Sequence, residues 1–175
     1  KMEPDLSWQY LFGKKETPNI CEDCRGNFAA ITGEVCIKCG RPFAYLEEGF
    51  RAGDMCLDCK RWEEDEYWSG SLDQNRSLYR YTDFTKEVVA RFKFRGDYVL
   101  SKVFAADLRL SLQDFQYDYI VPVPLSEERL YERGFNQAEA IIKAVGLTPT
   151  HLLSRMHTEK QSKKSRRERL ETDNP

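Results

Sequence analysis

Three Cys-x-x-Cys pairs, Cys21/Cys24, Cys36/Cys39 and Cys56/Cys59, contain every cysteine of the chain. A pair of this kind grips one edge of a tetrahedral metal from a tight turn, and two pairs complete the shell. So short a module cannot bury a core of its own and folds on its metal. Sixteen residues separate Cys39 from Cys56, inside the usual window for a zinc ribbon. Eleven separate Cys24 from Cys36, which is tighter. The spacing therefore assigns structural Zn2+ to Cys36, Cys39, Cys56 and Cys59, with Cys21 and Cys24 as a second, partial site. Pairing Cys21/Cys24 with Cys36/Cys39 is the competing assignment, and spacing leaves it open.

Other uses of paired thiols fit less well. A disulfide-stapled scaffold also has an even cysteine count, but this chain is 32% charged and carries long helical patterns. A redox pair calls for one Cys-x-x-Cys at a helix start after a strand, not three in polar loops. No His or carboxylate replaces a thiolate, so the zinc is expected to be structural rather than catalytic. His151 and His157 lie far downstream and read as ordinary polar positions.

With 175 residues, the chain has room for one domain and a small module. The divisions expected are a ribbon module with its lead-in at 1–60, an acidic and aromatic linker at 61–75, and an α/β body at 76–175. The lead-in has a short apolar face at Trp8, Leu11 and Phe12. The linker carries Glu63-Glu64-Asp65-Glu66 between Trp62 and Tyr67-Trp68. A net charge of −2 says nothing about partners. No apolar run approaches eighteen residues, so no membrane-spanning helix is expected. Reduced thiols point to the cytoplasm. The chain also reads as cut at both ends, starting at Lys1 and stopping at Asn174-Pro175 just after a basic run.

Residues 76–81 alternate around Leu78, Tyr79 and Tyr81 and read as a strand. Thr82 or Asp83 then caps a helix with Val88, Val89 and Phe92 on one face, ended by Gly96. A second helix is expected over 98–112, with Leu100, Val103, Phe104 and Leu108 inward. Residues 118–123 read as a parallel strand buried on both faces. A helix over 135–145 follows, with Ala138, Ile141, Ile142 and Val145 facing in, and then a short strand or turn at 151–156. Alternation of strand and helix argues for an α/β fold.

The loop after the buried strand is the candidate ligand site, because α/β folds bind ligands beyond the carboxyl ends of their strands. Arg129 and Arg133 are four apart and project from one side of a helical turn. Their guanidinium forks suit phosphate oxygens. Gly134 admits a close backbone approach, Asn136 can cap the next helix, and Gln137 completes the set. A solvated loop whose arginines pair with Glu127, Glu128 and Glu132 remains the alternative. Further on, Lys160, Lys163, Lys164, Arg166, Arg167 and Arg169 crowd adjacent positions. They read as a solvated face or as a mobile segment that closes on a polyanion such as a nucleic-acid backbone. Tyr79, Tyr81, Phe92 and Phe94 are candidate stacking residues for single strands. Core packing is the alternative expected for all of them except Phe94.

These motifs together resemble the ComF family over nearly the whole chain. The marks are Cys39-Gly40-Arg41-Pro42, Arg91-Phe92-Lys93-Phe94-Arg95-Gly96-Asp97, Val121-Pro122-Val123-Pro124-Leu125, Arg133-Gly134-Phe135-Asn136-Gln137-Ala138 and Glu159-Lys160-Gln161-Ser162-Lys163-Lys164. The resemblance implies a zinc ribbon followed by a partial type I phosphoribosyltransferase-like, Rossmann-like α/β domain over 76–175. It implies a role in natural transformation, with single-stranded DNA, a helicase-like ComFA protein and other competence proteins as partners. The location implied is cytoplasmic and peripheral to the membrane DNA-uptake machinery. It also implies Arg129 and Arg133 on a pyrophosphate side, and the run around Lys163 as a closing loop. Two family features are absent: an earlier Cys-x-x-Cys, and the later Asp-Asp-x-x-Thr-Thr-Gly-x-Thr loop for phosphoribosyl pyrophosphate. Without that loop the chain as given is not expected to turn over. An active phosphoribosyltransferase using Mg2+ and phosphoribosyl pyrophosphate is the other reading for the intact protein, and no catalytic residue can be assigned.

Overall fold

A computed structural model describes residues 20–155 and Ser165. The lead-in, His157 and the basic residues Lys160, Lys163, Lys164, Arg166, Arg167 and Arg169 lie outside the described residues. The chain divides into two compact units. One comprises Lys1–Val89 with Asp107–Asp114, and the other Ala90–Ala106 with Phe115–Pro175.

The first unit is built on turns rather than on an apolar core. A short helix α1, Glu22–Gly26, carries the first cysteine pair. The second pair lies on a knuckle closed by Gly40 N–H donating to Cys36 O at 2.9 Å. Gly40 has φ +68°, and a Cβ there would lie 2.6 Å from the carbonyl oxygen of Asn75, so only glycine fits. Two strands follow, β1 (Arg51–Ala52) and β2 (Met55–Cys56), paired antiparallel with Arg51 opposite Cys56. Cys56 then begins helix α2, Leu57–Glu63, whose first turn holds Cys59. Arg51 braces the hairpin from outside. It makes a two-pronged contact with Glu34 at 2.8 and 3.1 Å and lies 4.1 Å over the Phe43 ring.

The stretch read as a solvated linker is tied to the ribbon. Helix α2 runs into it, and Lys38 Nζ reaches Glu63 at 3.3 Å and Leu72 O at 3.1 Å. Asn75 N–H donates to Lys38 O at 2.6 Å, and its Nδ2 to Cys39 O at 2.8 Å. The two bonds from Asn75 satisfy knuckle carbonyls that lie outside the β1–β2 pair. The expected strand at 76–81 reduces to a single antiparallel bridge between Ala30 and Tyr79. The Tyr79 hydroxyl donates to Asp107, and Phe28 packs on Tyr79 and Phe84 at 4.9 and 5.0 Å.

Helix α3, Asp83–Phe94, leads from the first unit into the second. Of its two candidate caps Thr82 serves, its Oγ1 accepting from Thr85 N–H at 3.3 Å. The helix expected over 98–112 opens with a 3-10 turn, Tyr98–Leu100, and continues as α4, Ser101–Leu112. Two more helices complete the described part of the second unit: α5, Glu127–Arg133, and α6, Gln137–Val145. Its interior holds Phe92, Phe104, Ala105, Ala140, Ile142 and Val145.

The buried parallel strand expected at 118–123 is the main correction. These residues are extended but belong to no strand among the described residues, and Val123 is 68% exposed. One rung, Thr150 N–H to Ile120 O at 2.9 Å, joins them to the segment after α6. An apolar run becomes a central strand only with partners on both sides, and the described residues offer one bond on one side. Of the short strand or turn expected at 151–156, neither is formed over the described residues 151–155. What stands is a mixture of helices and one small sheet, headed by the ribbon.

Candidate metal centre and cationic site

The Sγ atoms of Cys36, Cys39, Cys56 and Cys59 all lie within 4.8 Å of one another. A zinc tetrahedron with bonds of about 2.3 Å has sulfur–sulfur edges of about 3.8 Å. The Cys39 and Cys56 sulfurs are 3.8 Å apart. The knuckle supplies two ligands and the β2–α2 junction the other two. Cys36 is fully enclosed, Cys56 and Cys59 are buried, and Cys39 is half-buried. Four soft thiolates in a closed shell fit zinc in a structural role and leave no position for a substrate.

The local electrostatics favour anionic sulfur at Cys36 and oppose it at Cys59. Burial works against a Cys36 thiolate, but backbone N–H groups of Cys39, Cys56 and Lys38 outweigh it and bring the pKa down to about 6. Cys56 N–H lies 3.3 Å from that sulfur. Burial pushes the Cys59 thiol far up, and the neighbouring sulfurs of Cys39, Cys56 and Cys36 add to it. Crowding four sulfurs thus disfavours four separate thiolates, and a divalent cation removes the conflict.

Cys21 and Cys24 stand apart. Cys21 is exposed at the start of α1, and the Cys24 backbone N–H holds its thiol below the usual range. Among the described residues no further ligand gathers around this pair. His151 is exposed, 3.9 Å from Glu139, and takes part in no described ligand cluster.

The second site is the turn between α5 and α6. Ser126 opens α5, its Oγ accepting from Arg129 N–H at 3.5 Å. Gly134 ends α5 with φ +76°, the left-handed conformation that reverses the chain. Asn136 starts α6. Its Oδ1 accepts from Ala138 N–H at 2.9 Å and Glu139 N–H at 3.2 Å, and its Nδ2 donates to Val123 O at 2.9 Å. Such a cap is worth about 1 kcal/mol. Gln137 is buried, accepts from Arg133 Nη1 at 2.9 Å and donates to Phe135 O at 3.1 Å. Asn136 and Gln137 thus shape the turn and aim Arg133.

Arg129 and Arg133 end up half-buried on the same helix. Burial and the charges of Arg129 and Arg155 pull the Arg133 pKa down, with Glu132 opposing. Among the described ion pairs neither arginine is matched with Glu127 or Glu132. Sequence reasoning missed two cations near Arg133, Lys93 and Arg155. For Lys93 the available signal was its place between two phenylalanines in Arg91-Phe92-Lys93-Phe94-Arg95. For Arg155 there was none. Of the stacking candidates, Phe92 is buried and Tyr79 half-buried, whereas Phe94 and Tyr81 are exposed. The core position expected for Tyr81 is therefore wrong.

Comparison with known proteins agrees with the zinc-ribbon part of this description. Residues 13–60 match the double zinc ribbon domain. Competence protein ComFC of Bacillus subtilis is 40% identical over 169 residues, covering 95% of this chain and 68% of that protein. Competence protein ComFC of Streptococcus pneumoniae is 33% identical over 156 residues, covering 89% and 66%. Competence protein F of Haemophilus influenzae is 24% identical over 135 residues, covering 69% and 56%. The chain thus spans about two thirds of the length of the two ComFC proteins. No solved structure gives a significant match.

Proposed function

We propose a part in DNA uptake for this chain, which belongs to the ComFC family of competence proteins. Its task is to handle incoming single-stranded DNA during natural transformation, beside a helicase-like ComFA partner and other competence proteins. It works on the cytoplasmic side of the uptake machinery. The ribbon is the folded head of this protein. The body is a partial phosphoribosyltransferase-like fold, a reading supported by the order of extended segment, helices α5 and α6, and extended segment joined by the Ile120–Thr150 rung.

One observation carries the functional reading. Arg129 and Arg133 are held on one side of a braced turn, and no carboxylate pairs with either among the described ion pairs. Arg91, by contrast, pairs with Asp97 at 3.4 Å. Guanidinium forks with no described carboxylate partner suit phosphate oxygens, and Arg133 keeps donors beyond the one given to Gln137. The basic residues Lys160, Lys163, Lys164, Arg166, Arg167 and Arg169 would extend that grip along a strand.

A labelled twenty-nucleotide single strand at low salt tests this by fluorescence anisotropy. The chain is expected to bind, and Arg129→Gln with Arg133→Gln to weaken binding about tenfold or more. The slope of log affinity against log salt should become shallower by about 0.7 for each phosphate no longer neutralised. No binding at low salt, or an unchanged double variant, would refute the reading. Release of pyrophosphate from phosphoribosyl pyrophosphate by the full-length protein, with no affinity for the strand, would favour the transferase instead.

A further inference from the structure

The cations at the α5–α6 turn are not confined to that turn. Lys93, next to last in α3, is half-buried and feels the charge of Arg133. Arg155, beyond α6, acts on Arg133 in the same way. Lys93 and Arg155 are thus each within electrostatic reach of Arg133, whose guanidinium lies 5.7 Å from the ring of Phe94, the neighbour of Lys93. No described ion pair includes Lys93, Arg133 or Arg155. In the same unit Arg91 pairs with Asp97 and Lys143 with Glu139 at 2.5 Å, while Arg95, Lys102 and Arg129 are likewise in no described ion pair. Like charges gathered together oppose folding; Glu132 offsets part of this at Arg133, and a bound anion would offset more.

Phe94 adds a second, independent feature. It follows Lys93 directly, is 74% exposed, and has the Arg133 guanidinium 5.7 Å from its ring centre. Phe92, on the same helix, is 3% exposed and fills the core. The helix end therefore presents one aromatic face to solvent beside a cation cluster. An open ring next to a phosphate-binding group is the arrangement that takes an unpaired base together with its backbone.

We infer that Lys93, Arg133 and Arg155 form one phosphate seat and that Phe94 stacks the attached base, making a nucleotide subsite for single-stranded nucleic acid. The inference rests on the DNA-handling reading and adds to it the helix that contributes Lys93 and Phe94. A duplex is a poor ligand, because its bases are already stacked on one another.

The test uses the full chain and three probes: a labelled twenty-residue oligodeoxythymidylate, an abasic strand of the same length, and thymidine monophosphate. Lys93→Gln and Arg155→Gln are each expected to lower affinity for both strands about fivefold and to make the salt slope shallower by about 0.7. Lys93→Arg should keep most of the affinity. Phe94→Ala should weaken oligodeoxythymidylate about fivefold or more and leave the abasic strand unchanged, with the salt slope preserved. Lys102→Gln, on the exposed side of α4, is the charge control. Zinc content and circular dichroism report that each variant is folded. Weakening by Arg133→Gln while Lys93→Gln and Phe94→Ala bind like the parent would overturn the subsite and leave the DNA reading standing. Failure of the parent chain to bind either strand would remove that reading and the subsite together. Displacement of the oligonucleotide by micromolar thymidine monophosphate would overturn the strand ligand in favour of a free nucleotide.

Discussion

Cys56→Ser is expected to strip the ribbon of its metal and unfold it. Cys56 is nearly fully enclosed and does three things at once. It ends β2, begins α2 and supplies one of four sulfurs lying within 4.8 Å of each other. Among the described residues its apolar neighbours Phe43, Leu46 and Met55 are only half-buried, so the metal does the work of a core. Structural zinc contributes about 10–16 kcal/mol in apparent binding energy to such modules. Whole domains are stable by about 5–15 kcal/mol, so loss of the metal is expected to exceed what the ribbon can withstand. Metal content of the purified variant should fall below that of the parent. Tryptophan emission should shift to longer wavelength as the edge-to-face packing of Trp62 on Trp68, 5.8 Å between ring centres, comes apart. A chelator should reproduce both changes in the parent. A variant that keeps its metal and its emission would contradict this.

Phe92→Ala should produce the second large loss, about 3–5 kcal/mol of stability in the second unit. Phe92 lies 6.2 Å from Phe104 and 5.5 Å from Phe135, ring centre to ring centre, and Phe135 in turn meets Tyr98 at 5.0 Å. Phe135 sits between Gly134 and Asn136, so this cluster anchors the turn that carries Arg133. The cavity left by the ring is therefore expected to loosen the cationic site as well as the core. Urea denaturation followed by circular dichroism measures the stability change. A loss below about 1 kcal/mol would show that Phe92 is not the anchor, since that is the ordinary cost of an unremarkable substitution.

Much of this was legible in the sequence because it depends on local chemistry. The Cys-x-x-Cys spacing announces its metal, and the Gly40 and Gly134 turns follow from residues that alone accept positive φ. The Asn136 cap follows from a side chain that competes for backbone N–H groups. The sheet was not legible in this way. Residues 118–123 have the composition of a buried strand, but a strand is defined by its partners, and the described residues provide one rung. Residues 76–81 likewise reduce to one bridge, between Tyr79 and Ala30. The linker reading of 61–75 followed its acidic composition, which carries no sign that Lys38 and Asn75 bind it back to the knuckle. The convergence of Lys93 and Arg155 on Arg133 was invisible for the same reason. It joins positions forty and twenty-two residues away, and no local pattern encodes such a meeting.

X-ray absorption at the zinc edge of a Cys21→Ser, Cys24→Ser chain measures the metal centre most directly. One zinc per chain with four sulfur neighbours at about 2.3 Å is the expected result. Nitrogen or oxygen in the shell, or disappearance of the zinc with the Cys21/Cys24 pair, would contradict it.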